Sequence, residues 1–234
     1  RILSVLLAVS IGLSFAACGA QQNSGSGSAL SKPVPTLTGA QVLDYNPLTG
    51  QPLAEGVQKG QRPIGVMVNN AHIAMPQRGI AAADAVFEML TEGGITRLLA
   101  LYSDYKTMPQ VGPVRSARDQ HLQFAIPLNA IMVHIGSSVY AENLFNEYQY
   151  QDIDGRYLGT TSFDFDAERA KTRASEHCWY TSGALVAAGI ENKQIATTGE
   201  SHPLFRFSPA NQPTSLSGGD APDVVFNFSP ENTV

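Results

Sequence analysis

The sequence predicts a mixed α/β (α+β) fold: β-sheet layers flanked by helices, including a β-hairpin and a β-turn-α unit. Three observations carry this. "PIGVMV" (63–68) and "NAIMVHIG" (129–136) are apolar runs of strand length bounded by turn formers. Residues 85–102, "AVFEMLTEGGITRLLALY", place Gly93-Gly94 between two stretches rich in β-branched and aromatic residues. The run 129–136 passes at once through Ser137-Ser138 into a helical pattern.

In chain order, the strand 63–68 ends at Asn69-Asn70. A two-residue Gly-Gly turn in the hairpin sets Glu92 opposite Ile95, Leu90 opposite Arg97 and Glu88 opposite Leu99. That register gathers Glu88, Glu92 and Arg97 on one sheet face as a structural salt network. "PVRSARDQHLQFA" (113–125) reads as a helix with Pro113 at its first position. In "VYAENLFNEY", Tyr140, Leu144 and Tyr148 recur every fourth residue behind Ser138 as N-cap. "DAERAKTRASEH" (166–177) is a charged helical stretch. "SGALVAAG" (182–189) is a short helix with Thr181 as cap and Gly189 as stop.

The first 17 residues, "RILSVLLAVSIGLSFAA", form an apolar run behind one arginine and end in small residues before Cys18. This predicts a lipoprotein signal peptide, with Cys18 lipidated and a membrane anchor on the extracytoplasmic face. A diacylated cysteine supplies the two chains that stable anchoring needs. Residues 18–43 follow as lipidated cysteine and flexible tether. The Gly/Ser/Pro-rich part, 19–39, spans roughly 25 Å on random-coil scaling. A mixed α/β domain is expected over 44–215. Residues 216–234 read as the start of a β-rich region that continues beyond the chain, and residues are expected upstream of Arg1.

Of the 234 residues, 43 % are hydrophobic and 15 % charged, a globular composition. Removing residues 1–17 takes away one base, Arg1, and leaves 14 basic against 20 acidic residues, a formal charge of −6. That balance argues against nucleic acid as a partner, and no basic stretch assists membrane contact. Neither CxxC nor HExxH spacing occurs, so no metal or other cofactor is expected. With Cys18 lipidated, Cys178 has no disulfide partner.

Four polar sets are candidates for chemistry. Arg115 and Arg118 lie three apart at the start of the expected helix, where the macrodipole disfavours positive charge. A bound anion would reverse that sign; the structural alternative pairs Arg115 with Asp119. His134 with Ser137 stands at a strand end, where open α/β sheets bind ligands. The alternatives there are a histidine bonded to backbone, or nucleophilic catalysis, although "HIGSSVYA" lacks the GxSxG elbow. Glu88 and Glu92 could form an acid/base pair, but Arg97 between them would hold both ionised. "SEHCWYTS" (175–182) concentrates His177, Cys178, Trp179 and Tyr180 ahead of a helix, a composition found in binding clefts and in packed loops alike. Asn69 and Asn70 complete the ligand-binding candidates, as polar groups at the end of a strand.

The succession "ADAVFEMLTEGGITRLLALY", "VGPVRSARDQH", "NAIMVHIGSS" and "HCWYTS" resembles the YerB-type lipoproteins of bacteria over residues 60–185. The resemblance implies a lipid-anchored envelope protein with a further β-rich region starting near Asp223. Cys178 stands where the family pattern His-Asn-x-Tyr-Thr has asparagine. No enzymatic activity is carried over with it. The expected function is therefore non-enzymatic binding or regulation at the cell envelope, directed at an anionic ligand, an envelope polymer or an envelope protein. The alternative is a hydrolase or transferase acting on cell-wall glycan or peptidoglycan.

Overall fold

The computed structural model describes residues 35, 38–209, 211–212, 227–229 and 232–233. All belong to the second of two units, Val34–Val234. The signal peptide, Cys18, most of the tether and most of 216–234 lie outside the described residues. Among those described, no helix is long and apolar enough to cross a membrane.

A five-stranded sheet organises the domain. Strand β1 (Ile64–Asn69) is followed by the hairpin β2 (Ala85–Leu90) and β3 (Thr96–Tyr102). Helix α1 (Asp119–Ala125) leads to β4 (Ile131–His134), and α2 (Val139–Glu147) leads to β5 (Asp152–Asp154). The order is β2-β3-β1-β4-β5, with β1 antiparallel to β3 and parallel to β4, and β4 parallel to β5. The one-turn helix α3 (Gly155–Leu158) and a small ribbon of β6 (Asp164–Phe165) and β7 (Trp179–Tyr180) precede α4 (Gly183–Lys193). Strands β8 (Asn227–Ser229) and β9 (Asn232–Thr233) pair with each other. The class is the α+β one that the sequence predicts.

Both faces of the central strands are covered, so β1 reads as an unbroken apolar run and is buried throughout. On one face Ile64, Val66, Val68, Ala100 and Val133 pack with Val186 and Ile190 of α4. On the other, Met67, Leu99, Leu101 and Met132 pack with Leu122 of α1 and Phe145 of α2. Edge strand β2 alternates between half-buried and exposed residues, as a strand with one open face should. Ser138 caps α2 by accepting from the amide of Ala141. The buried face of α2 is Ala141 and Phe145, and Tyr140 of the expected stripe points to solvent.

Four expectations are corrected. The hairpin forms, but with a three-residue tip: Thr91 closes it through its amide and hydroxyl on the carbonyl of Ile95. Glu88 therefore faces Leu98, Met89 faces Arg97 and Leu90 faces Thr96. A one-residue slip exchanges sheet faces, so Glu88 and Arg97 lie on opposite sides and the salt network of Glu88, Glu92 and Arg97 does not assemble.

The helix expected over 113–125 begins only at Asp119. Residues 111–117 are extended and wedge between the C-terminal ends of β1 and β4. Asn69 donates to the carbonyl of Pro113, Arg115 to that of Met67 and Val114 to that of Trp179; Ile135 donates to Arg115 and Ala117 to Gly136. A proline suits the first helical turn and an extended strip equally, and here the long-range ladder decides.

The charged stretch 166–177 forms two 3-10 turns instead of an α-helix. The Asp166 carboxylate accepts from the amide of Arg169, whose guanidinium turns inward to the carbonyls of Ala74, Met75, Pro76 and His177. Finally, α4 is preceded by Ser182 and runs through Gly189, ending with Gln194 in the left-handed conformation. Thr181 is buried, its hydroxyl donating to the carbonyl of Ser162. Backbone pairing also starts before Asp44, since Gln41 and Ser201 exchange both amide hydrogen bonds.

Candidate functional site

The extended strip 111–117 brings three arginines together. Arg97, on β3, is the cross-strand neighbour of Asn69 and turns to the face of Met67 and Leu99. Val114 pairs with Val68 on the opposite face, so by strand alternation Arg115 turns to the side of Arg97. Arg97 donates from Nη1 to the carbonyl of Ser116 at 2.7 Å, which sets its guanidinium between Arg115 and Arg118 in the chain.

Arg97 is only 4 % exposed. Among the described residues no carboxylate forms a salt bridge with it, and its Nε has no hydrogen-bond partner. Burial, then the positive charges of Arg118 and Arg115, push its pKa down to about 10, with partial relief from Glu92. It remains charged at neutral pH, in a position where an unpaired charge is costly. The Nε of Arg115 is likewise buried without a partner.

Two exposed carboxylates stand at the rim. Arg118 donates from Nε to Glu92 at 2.7 Å. Arg115 meets Glu176 more loosely, at 3.5 Å to its carboxylate and 3.3 Å to its carbonyl. The Arg115–Asp119 pairing does not form. Arg118 itself is the N-cap residue of α1, with extended backbone and its side chain turned to the hairpin.

Asn69 and His177 lie beside this cluster and bond each other, the Asn69 amide donating to Nδ1 of His177 at 3.0 Å. That bond fixes the neutral ring. Burial lowers the His177 pKa, helped by Arg115, Arg169 and Arg173, against an opposing contribution from Glu176. Asn70 is engaged with Glu88, Thr96 and Gln77. Tyr180 is fully buried beneath the Arg78 guanidinium. Asn69 and His177 are satisfied by each other and by the amide of Ala71, and Tyr180 is covered by Arg78, so these three are engaged in packing rather than directed at a ligand.

His134 and Ser137 belong to a separate internal network. His134 is fully buried and stacked on Phe145. Its Nδ1 lies 2.7 Å from the carbonyl of Gly136 and its Nε2 3.0 Å from the carboxylate of Asp152. The Ser137 hydroxyl donates to Glu142 and accepts from Arg156, not from or to His134. No Ser–His pair for nucleophilic catalysis is formed, and direct ligand contact by His134 is closed off by burial.

His134, Asp152 and Asp154 do place three ligand-type atoms within 4.8 Å of one another. The carboxylates already hold cations, however: Arg156 binds Asp154 at 2.6 Å and Lys193 binds Asp152 at 2.7 Å. A metal ion would have to displace both, so the donor set fits an internal ion-pair network better than a metal site.

The two glutamates do not resemble an acid/base pair either. Glu88 accepts from Thr96 and Asn70. The hydrogen bond from Arg118 lowers the pKa of Glu92, opposite to what a general acid needs.

The family described as "Protein of unknown function (DUF3048) N-terminal domain" matches residues 48–196. The chain belongs to this family. YerB of Bacillus subtilis (strain 168), named as a lipoprotein, is 36 % identical over 174 residues, covering 71 % of this chain and 50 % of that protein. The crystal structure of YerB from Bacillus subtilis matches with a TM-score of 0.60 at 33 % identity, covering 69 % of this chain and 53 % of that one. The chain thus spans about half the length of this DUF3048 relative. The stretch that carries the arginine strip, 111–118, lies inside the matched family domain.

Arg115 and Arg118 are the two cluster residues among the sequence-predicted ligand contacts, whereas Arg97 stands there only as a member of the salt network. Its signal was present in "ITRLLALY", a lone charge inside an otherwise apolar strand.

Proposed function

We propose that this protein is a lipid-anchored binding protein on the extracytoplasmic face of the cell membrane, non-enzymatic, which holds an anionic component of the cell envelope at Arg97, Arg115 and Arg118. The anchor reading draws on the apolar leader before Cys18 and on the naming of its relative as a lipoprotein. The binding reading rests on one observation above all: Arg97 is a buried guanidinium with two like charges beside it and no carboxylate of its own. A charge that costs stability and has no salt-bridged carboxylate among the described residues is accounted for by an external one.

Titrating the purified protein with teichoic-acid fragments that end in a phosphomonoester and with muropeptides, while analysing the mixtures for cleavage products, tests this reading. Saturable binding that weakens with salt, is lost in Arg97→Met and yields no products is the expected result. Product formation would replace it by the hydrolase or transferase reading. Absence of binding to any anionic fragment would remove the arginine cluster as a ligand site.

A further inference from the structure

Resting on the reading of the arginine cluster as an anion site, the geometry points to a specific ligand class and to a built-in competitor. We propose that the Glu92 carboxylate occupies the outer part of the site, and that the ligand is a doubly charged phosphoryl group that displaces it.

The position of Glu92 supports this. It stands at the tip of the β2–β3 hairpin, on the same hairpin as Arg97, and its exposed carboxylate bonds Arg118 at the rim of the cluster. Its side chain is 66 % exposed, held by the screened pair with Arg118, a local backbone hydrogen bond and the charge of Arg97. The next two residues, Gly93 and Gly94, both have φ of +74°. Nothing lies within 4 Å of where a side chain would begin at either. The carboxylate can therefore swing out without disturbing packed structure.

Charge then selects the ligand. Three guanidinium groups face the two rim carboxylates of Glu92 and Glu176, leaving one net positive charge. With Glu92 displaced, the excess is two. A monocarboxylate taking its place exchanges one carboxylate for another and gains nothing from the charge. A phosphoryl dianion matches the excess and brings three acceptor oxygens to the partly exposed guanidinium groups of Arg115 and Arg118, with the buried charge of Arg97, whose Nε has no partner among the described residues, behind them. The same chemistry is offered by free phosphate and by a phosphomonoester end of a larger molecule.

Calorimetric titration of the purified wild-type protein and of Glu92→Gln at pH 8 tests the proposal, with inorganic phosphate, glycerol 1-phosphate, dimethyl phosphate and acetate as probes. The expected result is that wild type binds the two dianions and neither monoanion. Glu92→Gln should bind the dianions about tenfold more tightly and acquire saturable acetate binding. Tighter binding of glycerol 1-phosphate than of inorganic phosphate identifies a monoester source, and the reverse identifies free phosphate. Equal dianion affinity in wild type and Glu92→Gln, abolished by Arg97→Met, overturns displacement by Glu92 and leaves the anion site standing. No binding of any probe by either protein overturns both.

Discussion

Arg118 donates from Nε to Glu92 at 2.7 Å, and this contact joins the start of α1 to the tip of the β2–β3 hairpin. One partner is largely in solvent, with 66 % of the Glu92 side chain exposed against 15 % of Arg118. Screened pairs of this kind stabilise by at most about 1 kcal/mol. Arg118→Ala is therefore expected to lower Tm by no more than a few degrees while weakening anion binding severalfold. A large fall in Tm with binding unchanged would assign Arg118 a structural role instead.

Arg97 should behave in the opposite sense. Its charge is buried, repelled by Arg118 and Arg115, and lacks a carboxylate, so an apolar chain of similar length removes more cost than benefit. Arg97→Met loses the hydrogen bond to the Ser116 carbonyl, yet the net expectation is a gain of about 1 kcal/mol in urea unfolding. Phosphate should raise the Tm of wild type and leave that of Arg97→Met unchanged. Destabilisation by the substitution, with the phosphate effect intact, would contradict the assignment of Arg97 to the site.

How much of this was readable beforehand depends on the range of the forces involved. Strands β1 and β4 and the Ser138 cap were legible because periodicity and capping are local. The hairpin was legible as an element but not in register, because the choice between a two- and a three-residue tip turned on Thr91 closing on Ile95. That single residue decided whether Arg97 had carboxylates on its own face. The strip 111–117 was not legible at all. Its proline and its Arg-Ser-Ala-Arg run fit a helix start, and the groups that hold it extended are Met67, Asn69, Gly136 and Trp179, all distant in sequence. His134 and Ser137 were adjacent candidates whose hydrogen bonds lead to Asp152 and Glu142, and no local pattern announces those partners.

Acid sensitivity should appear in two windows. Burial holds the pKa of His121 below its ordinary 6.5, outweighing the hydrogen bond to the Arg97 carbonyl, with the charges of Arg97 and Arg118 acting in the same direction as burial; the same sign holds for His177. Groups kept neutral in the folded state contribute stability that is complete above the unfolded value and is lost as pH falls below it. Stability should therefore decline as pH drops below about 6.5, and His121→Gln should flatten that slope in urea titrations between pH 7 and 5. A slope unaltered by the substitution would show that His121 does not carry it.

The second window belongs to Asp152. Burial raises its pKa, but hydrogen bonds from His134 and Lys193 outweigh that and bring it from 3.8 to about 2. A depressed carboxyl pKa gives stability that is present above 3.8 and lost as pH falls through about 2. The shift corresponds to about 2 kcal/mol. Asp152→Asn is expected to cost about that much at pH 7, and to leave no further acid-dependent loss between pH 4 and 2 from this site. A variant as stable as wild type at pH 7 would show that His134 and Lys193 gain nothing from the carboxylate.

Gly189 tests packing where propensity points the other way. In the interior of α4, alanine is favoured over glycine by about 1 kcal/mol, and on that basis Gly189→Ala should stabilise. The helix, however, packs there against Ser162 and Ile153: a methyl group would collide with Ser162 Oγ and come within 3.1 Å of Ile153. Overpacking of a filled interior costs about 1–3 kcal/mol, so a net loss of stability is expected. The Ser162 hydroxyl is itself buried without a partner among the described residues. Ser162→Ala should therefore be neutral or slightly stabilising, and Ser162→Ala with Gly189→Ala should recover much of the loss, because the oxygen that obstructs the new methyl is gone. Additive effects of the two substitutions in a double-mutant cycle would mean that the helix moves away from Ser162 as a whole rather than meeting it at this contact.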